Sequence, residues 1–281
     1  MQVIWSRHSR KVTRVLNFKK TTPEWVLLCI SLAAPACTTA VGSEAEARRG
    51  PAEVVGGDVD RGDPAVAYLL GETEDGMVTS TESCSGSLIA PRVILTAAHC
   101  ASVFDYDRKR ARFDTDSGQI WLDLQEFHAD VAFDPSHLDA GHDIAIAILA
   151  EPAPVEPLPI NRAALSASLV GQPLRLVGYG GDVDFGDVGT KRDARTVVNA
   201  IGERLIDDGD LDHHTAAGDS GGPALMVLDG VEKIVGVLSF GETEGNGVFS
   251  HEGHSRVDRY LDFVDPFLLA SGEAEPKPTR D

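Results

Sequence analysis

Ser220 stands in a segment whose residue types suit nucleophilic attack on an amide. Such hydrolysis at neutral pH needs a nucleophile, a base, a group that orients the base, and donors for the oxyanion. Ser220 lies in the run Gly-Asp-Ser-Gly-Gly-Pro at positions 218–223. The glycines permit a turn tight enough to direct the amides of Gly218 and Ser220 at one point. This segment therefore offers a nucleophile and the oxyanion donors.

Two further residues could supply the base and its orienting group. His99 comes just after an apolar strand, in the run Leu95-Thr96-Ala97-Ala98-His99-Cys100, and Cys100 could fix its position. Asp143 comes directly before the apolar run 144–149, at the start of a strand that must be largely buried. Taken singly, each has an ordinary structural explanation: a turn serine, a core histidine bonded to the backbone, and a strand-end cap.

The elements that must position these residues are predicted to be short β-strands. Brief apolar runs are separated by Gly, Pro and Asp clusters, a spacing that favours an antiparallel sandwich or barrel over βαβ units. The runs cover residues 87–89, 93–96, 120–124, 144–149, 174–177, 224–228 and 234–240. From Ser255 onward the apolar period changes to three and four, which predicts a terminal amphipathic helix that Pro266 ends or kinks.

Composition and charge argue against nucleic-acid binding and give no support for a metal site. The chain has 281 residues, 42% of them hydrophobic, which is enough for a buried core. Its formal charge of −19 argues against nucleic-acid binding, which requires a clustered basic face. The acidic stretches 114–118 and 182–187 have alternating oxygen ligands, yet solvated turns explain them better than calcium sites. We expect no metal and no cofactor.

The amino-terminal residues have the pattern of an export signal. Basic residues precede an apolar run that is too short to span a bilayer and ends at Ala36. We expect a signal peptide at residues 1–36, a propeptide at 37–53, and a secreted or periplasmic product. Cys37 follows the expected cleavage point, so a lipid anchor there is an alternative. Export makes a disulfide between Cys84 and Cys100 reasonable, although two free buried thiols would fit as well.

Several motifs together resemble the trypsin-like, chymotrypsin-fold serine protease family over residues 54 to about 265. The order His, Asp, Ser with these flanking residues is hard to obtain by chance. The matching segments are Val54-Val55-Gly56-Gly57, Cys84-Ser85-Gly86-Ser87-Leu88-Ile89, Thr96-Ala97-Ala98-His99-Cys100, Asp143-Ile144-Ala145, Gly178-Tyr179-Gly180, residues 218–223 and Ser239-Phe240-Gly241.

The resemblance implies an all-β fold of two antiparallel Greek-key β-barrels packed together, followed by a C-terminal helix. It places the peptidase domain at residues 54–270, with barrel one at about 54–160, barrel two at about 161–254 and the helix at about 255–268. Residues 271–281 are then a flexible tail. In this family His99 would take the proton of Ser220, Asp143 would orient His99, and Cys84 would pair with Cys100.

The resemblance also implies activation by cleavage. A freed Val54 amine would pair with Asp219 and so form the oxyanion hole and the substrate pocket. Glu53 precedes Val54, so an activator specific for Lys or Arg is not expected to cut there, although trimming after a cut at Arg48 or Arg49 would reach the same end.

Substrate-binding residues follow from the same comparison. Ser239, Phe240 and Gly241 would pair with the substrate backbone. Gly241 and Gly247 would leave the side-chain pocket open, with His214 and Thr215 at its base. Donors at those two positions suggest a preference for an acidic residue before the cleaved bond, whereas a pocket for small or apolar side chains is the alternative.

The expected partners are protein or peptide substrates of a monomer. The alternative to a peptidase is a catalytically silent protein of the same fold that binds or regulates, but such proteins usually lack a member of the triad.

Overall fold

The computed structural model describes residues 57–75, 78–181, 188–209, 215–243 and 249–271, which all belong to one unit spanning Arg49–Asp281. Its strands, numbered in chain order, are β1 Asp58–Val59, β2 Val66–Asp75, β3 Val78–Ala90, β4 Val93–Thr96, β5 Arg108–Thr115, β6 Gly118–Ala129, β7 Ala145–Leu149, β8 Pro173–Gly178, β9 Arg192–Val197, β10 Ala200–Ile201, β11 Leu205–Asp208, β12 Pro223–Leu228, β13 Val231–Thr243 and β14 Phe249–Arg256.

The first half of the described chain forms a closed barrel. Its strand order is β2-β3-β4-β7-β6-β5, and β5 pairs back with β2. All four residues of β4 and four of the five residues of β7 are buried. These adjacent strands are apolar on both faces because neither face meets solvent, which explains their uninterrupted apolar runs.

The second half forms an eight-stranded sheet with the order β1-β9-β8-β12-β13-β14-β11-β10. Leu174, Leu176, Ile206, Met226 and Val235 belong to its own small core. A closed barrel, a second sheet and a C-terminal helix confirm the predicted all-β fold of the chymotrypsin type.

Buried polar groups join the barrel to the second sheet. The Tyr179 hydroxyl, at the end of β8, donates to the Val66 carbonyl in β2 at 3.2 Å. The Arg112 guanidinium of β5 lies 4.8 Å from the ring centre of Tyr68 and 5.1 Å from that of Tyr179, and donates to the Gly189 carbonyl. The cation and the two aromatic faces attract one another and fix the two halves relative to each other.

The terminal helix differs from its predicted bounds. Ser255 lies in β14, paired with Val237, so it does not cap the helix. A 3₁₀ turn at Val257–Arg259 comes next, and helix α1 spans Leu261–Ala270. Pro266 lies within α1 and does not end it, because the buried Val264 and Leu268 hold both sides of the proline in the core and offset the lost amide donor. None of the described helices is long and apolar enough to cross a membrane.

Candidate active site

His99 is positioned by the strand before it and by a disulfide after it. β4 delivers the chain through the buried Ala97 into a 3₁₀ helix at Ala98–Asp105, which carries His99 in its first turn. Cys100 is bonded to Cys84 of β3. The Cys100 sulfur also lies 3.6 Å from the carbonyl oxygen of Ser220. The backbone of the predicted base is thereby held next to that of the predicted nucleophile.

Asp143 is fully buried two residues before the start of β7, and three donors surround its carboxylate. Its Oδ1 accepts the His99 backbone amide at 2.9 Å, while its Oδ2 accepts His99 Nδ1 at 2.7 Å and Ser239 Oγ at 2.6 Å. A buried carboxylate is stable only when donors replace its hydration, and these three do so. Because His99 Nδ1 is the donor in this arrangement, its Nε2 is left with a lone pair that can take a proton.

Ser220 occupies a turn that two left-handed glycines make. Gly218 has φ of +98° and Gly221 has φ of +80°, a region that side chains with a Cβ rarely enter. The carbonyl of Ser220 accepts the Ser85 amide at 2.7 Å, and Ser85 Oγ donates to the Gly218 carbonyl at 2.9 Å. Ser85 therefore anchors the nucleophile turn to strand β3, a role that its motif gave no reason to expect.

The amides of Gly218 and Ser220 are free of hydrogen bonds to the residues that the structure describes. Gly218 also borders an open cavity of about 400 Å³, which Tyr68, Ser83 and Val188 help to line. Two unengaged amides in one turn, with Gly218 at the edge of a cavity, can receive an oxyanion. In the described structure, Ser220 Oγ and His99 Nε2 do not form a hydrogen bond with each other.

Asp219 points inward from this turn and is buried. Its carboxylate accepts the Gly180 amide at 2.7 Å and the Ala216 amide at 2.9 Å. Burial raises the pKa of Asp219 to about 6, although the two amide bonds and the charge of Arg192 act in the opposite direction. Val54, the predicted partner of Asp219, lies outside the described residues.

The predicted substrate strand is the far end of β13. The pairing of β13 with β14 shifts between Leu238 and Phe240, so Ser239 lies at an irregularity of the ladder and its hydroxyl reaches Asp143. The last residue of β13 that pairs with β12 is Val237. Beyond it, among the described strands, the β12 side of Phe240 and Gly241 is unpaired, which is the kind of edge that an extended peptide joins.

The described part of the predicted side-chain pocket contains a residue that the motifs did not identify. Thr215 donates its amide and its hydroxyl to the two carboxylate oxygens of Glu252, at 2.5 and 2.9 Å. Glu252 faces Gly241 in the pairing of β13 with β14. Only that register brings Glu252 to the pocket, and the sequence motifs do not fix it. His214 and Gly247 lie outside the described residues.

Glu252 is fully buried, and its surroundings shift its titration. Burial raises the pKa of Glu252 to about 7, and the nearby Asp208 carboxylate acts in the same direction. The charge of His254 and the two bonds from Thr215 act against this shift. Near pH 7 the group can therefore exchange a proton.

One of the two acidic stretches weighed as calcium sites is described. Asp114 Oδ2 accepts a hydrogen bond from Arg112 Nη2 at 3.3 Å, and Asp114 Oδ1 lies 3.1 Å from Arg112 Nε in an ion pair. An arginine already neutralises this carboxylate, which agrees with the interpretation as a surface turn. The other stretch, residues 182–187, is outside the described ranges.

Comparisons with known proteins show which family and which proteins this chain is similar to. The family model described as Trypsin matches residues 64–264. Vitamin K-dependent protein C of Mus musculus is 27% identical over 226 residues, covering 68% of this chain and 47% of that protein. Its counterpart in Rattus norvegicus is 27% identical over 220 residues, with coverage of 66% and 46%. The chain thus spans about half the length of the curated relatives it matches.

Proposed function

Because the chain belongs to the trypsin family of serine proteases, we propose that it is a serine endopeptidase with Ser220 as nucleophile, His99 as base and Asp143 as orienting group. The observation that carries this proposal is the buried Asp143 carboxylate, which accepts His99 Nδ1 at 2.7 Å and so leaves Nε2 to act as base. The alternative of a silent binding protein is disfavoured because all three side chains are present.

The proposed reaction has two steps. Ser220 Oγ attacks the peptide carbonyl while its proton passes to His99 Nε2. The resulting oxyanion accepts hydrogen bonds from the backbone amides of Gly218 and Ser220. Collapse breaks the C–N bond, and the leaving amine takes the proton from His99. Water then attacks the acyl-enzyme, giving its proton to His99, and Ser220 departs with that proton. The hydrogen bond between Ser220 and His99 forms when substrate is bound, as catalytic contacts commonly tighten at that stage.

The substitution Ser220→Ala tests this proposal. We expect the wild-type protein to take a fluorophosphonate label and digest casein, and the variant to lose turnover by a factor on the order of 10⁶. Ser168→Ala, which changes an exposed serine away from the site, should retain both activities. A folded and correctly processed wild-type protein that neither labels nor cleaves would favour the silent binding protein.

We propose that the chain is made as a zymogen and activated by freeing Val54. Asp219 is buried and, within the described ranges, forms no ion pair. A Val54 ammonium group would offset the cost of ionising Asp219 and hold the turn that carries Gly218 and Ser220. Mass spectrometry of the active exported product should find Val54 at its amino terminus. Full activity in a protein that retains residues 37–53 would contradict this mechanism.

The preference for an acidic residue before the cleaved bond rests on His214 and Thr215, and one contact favours a different preference. Both donors of Thr215 are already engaged by Glu252. A carboxylate at this position repels an acidic side chain and attracts a cationic one. A peptide library decides between the two preferences. Cleavage after Glu supports the acidic preference, whereas cleavage after Lys or Arg that weakens in Glu252→Gln supports the cationic one.

The proposed layout has a signal peptide at residues 1–36, a propeptide at 37–53, a peptidase domain at 54–270 and a tail at 271–281. It predicts a secreted or periplasmic monomer that acts on proteins or peptides. Fractionation of the exporting cells tests the location. A mass increase corresponding to a lipid on Cys37 would show an anchored form instead.

A further inference from the structure

We propose that Asp208, Glu252 and His254 form a binding site for one divalent transition-metal ion, for which zinc is the probe. The site goes beyond the peptidase activity proposed above, since none of the three side chains has a role in the proposed chemical steps, although Glu252 also lies at the predicted side-chain pocket. All three are buried, and one potential ligand atom from each lies within 4.8 Å of the others.

The strand register brings these side chains together. Asp208 of β11 is paired directly with Glu252 of β14 in an antiparallel ladder. His254 is two residues after Glu252, so both project from the same face of β14. Like charges placed directly opposite each other destabilise a strand pair, and burial increases the repulsion. This arrangement therefore calls for a positive charge between the strands.

The described residues supply little of that charge. Within the described part of the chain, neither Asp208 nor Glu252 forms an ion pair with lysine or arginine, and their nearest cationic partner is His254. A protonated His254 would still face two carboxylates, whereas a divalent ion would balance both.

Ligand geometry and an unused ligand atom support a metal. His254 Nε2 lies 2.6 Å from Asp208 Oδ1 and 3.9 Å from Glu252 Oε2. These distances lie on either side of the spacing of about 3.3 Å expected between two ligands of tetrahedral zinc. Among the described residues, Asp208 Oδ2 is buried without a hydrogen-bond partner, which is costly in a fully buried carboxylate.

A small cavity beside the cluster could hold a water molecule. It has a volume of about 10 Å³ and is bordered by Thr215, Asp219 and His254, among others. This is roughly the space that one water needs. His254 Nδ1 has no partner in the described structure, and a water here could accept its proton when Nε2 binds the metal.

The test uses the exported full chain carrying Ser220→Ala, so that binding is measured without self-digestion and independently of peptidase activity. The protein is freed of metal with a chelator and titrated with zinc chloride in a calorimeter. We expect one zinc per chain. We expect Asp208→Asn and His254→Gln each to weaken zinc affinity at least about 100-fold, since even an outer partner of a ligand commonly contributes 10- to 100-fold.

Two controls separate this site from other histidine and carboxylate pairs. His137→Gln removes an exposed histidine that lies 2.9 Å from Asp134, and it should leave affinity unchanged. His99→Gln removes the proposed catalytic base and should likewise leave one zinc bound. Zinc lost in either control, or no zinc bound in the parent protein, would overturn the proposal.

Folding of the variants is checked by circular dichroism and thermal unfolding. Zinc should raise the unfolding midpoint of the parent protein and leave that of Asp208→Asn unchanged. If a variant does not fold, Glu252→Gln replaces it, because its side-chain oxygen can still accept the Thr215 amide. Unchanged zinc affinity in folded Glu252→Gln and Asp208→Asn would also refute the site.

Discussion

The substitution Asp143→Asn tests the reasoning about the proposed catalytic site most directly. It replaces one carboxylate oxygen by an amide NH₂ group with almost no change in volume. In the present structure Oδ2 accepts two donors, His99 Nδ1 at 2.7 Å and Ser239 Oγ at 2.6 Å, while Oδ1 accepts the His99 amide. An asparagine whose oxygen keeps the His99 amide must direct its NH₂ group at His99 Nδ1.

This exchange reverses the tautomer of His99. Nδ1 must then accept a hydrogen bond, so the proton of the neutral imidazole moves to Nε2, where it prevents His99 from taking the Ser220 proton. We expect kcat to fall by a factor on the order of 10⁴, as an orienting carboxylate in such a triad commonly contributes. This factor corresponds to about 5.5 kcal/mol of lost transition-state stabilisation.

The assay is steady-state hydrolysis of a peptide that the wild-type protein cleaves, alongside ¹⁵N spectra of His99 near neutral pH. The spectra should show the proton on Nδ1 in the wild type and on Nε2 in Asp143→Asn. Thermal unfolding controls for damage to the fold. A folded variant that keeps activity within about tenfold of wild type, or one whose His99 tautomer does not change, would refute the assigned roles.

Three further predictions concern the elements around the site. Because burial raises the pKa of Asp219 from 3.8 to about 6, the folded precursor binds this proton more tightly than the unfolded chain, so its stability should fall by about 2 kcal/mol between pH 4 and 6. Denaturant titrations across this range should show a smaller fall in Asp219→Asn, and an identical profile would contradict the assignment. Gly180→Ala would place a Cβ against the Asp219 carboxylate, and we expect the free energy of unfolding to drop by about 1–3 kcal/mol; chemical denaturation that shows no loss would refute the packing. Replacing Cys84 and Cys100 together by alanine opens a disulfide that joins residues 16 apart, and calorimetry should find the protein about 3 kcal/mol less stable, whereas an unchanged midpoint would mean that the bond does not constrain the chain.

Local sequence was enough to predict the elements that depend on local chemistry. The apolar run after Asp143 predicted a buried strand, and β7 is that strand. The glycines around Ser220 predicted a tight turn, and Gly218 and Gly221 adopt the left-handed conformation that such a turn requires. The resemblance predicted the bond between Cys84 and Cys100, and the structure contains it. These features are set by side-chain type within a few residues, or by a motif that carries its own geometry.

Features that depend on pairing between distant strands were not predictable in the same way. Glu252 reaches Thr215 because β14 pairs with β13 in one register, and a shift of one residue would turn Glu252 to the other face. The same pairing keeps Ser255 in a strand and delays the terminal helix to Leu261. The periodicity that predicted a helix from Ser255 describes only the side chains, whereas backbone pairing decides where the strand ends.

The contacts of Ser85 have a consequence for how the protein loses function. This barrel residue binds the Ser220 carbonyl, the Gly218 carbonyl and the Tyr179 amide, all of which belong to the other half of the molecule. The alignment of base and nucleophile is therefore a property of the joint between the halves and of neither half by itself. Mild heat or denaturant that loosens this joint should abolish function while both halves keep their strands. Function should therefore be lost before spectroscopy detects unfolding.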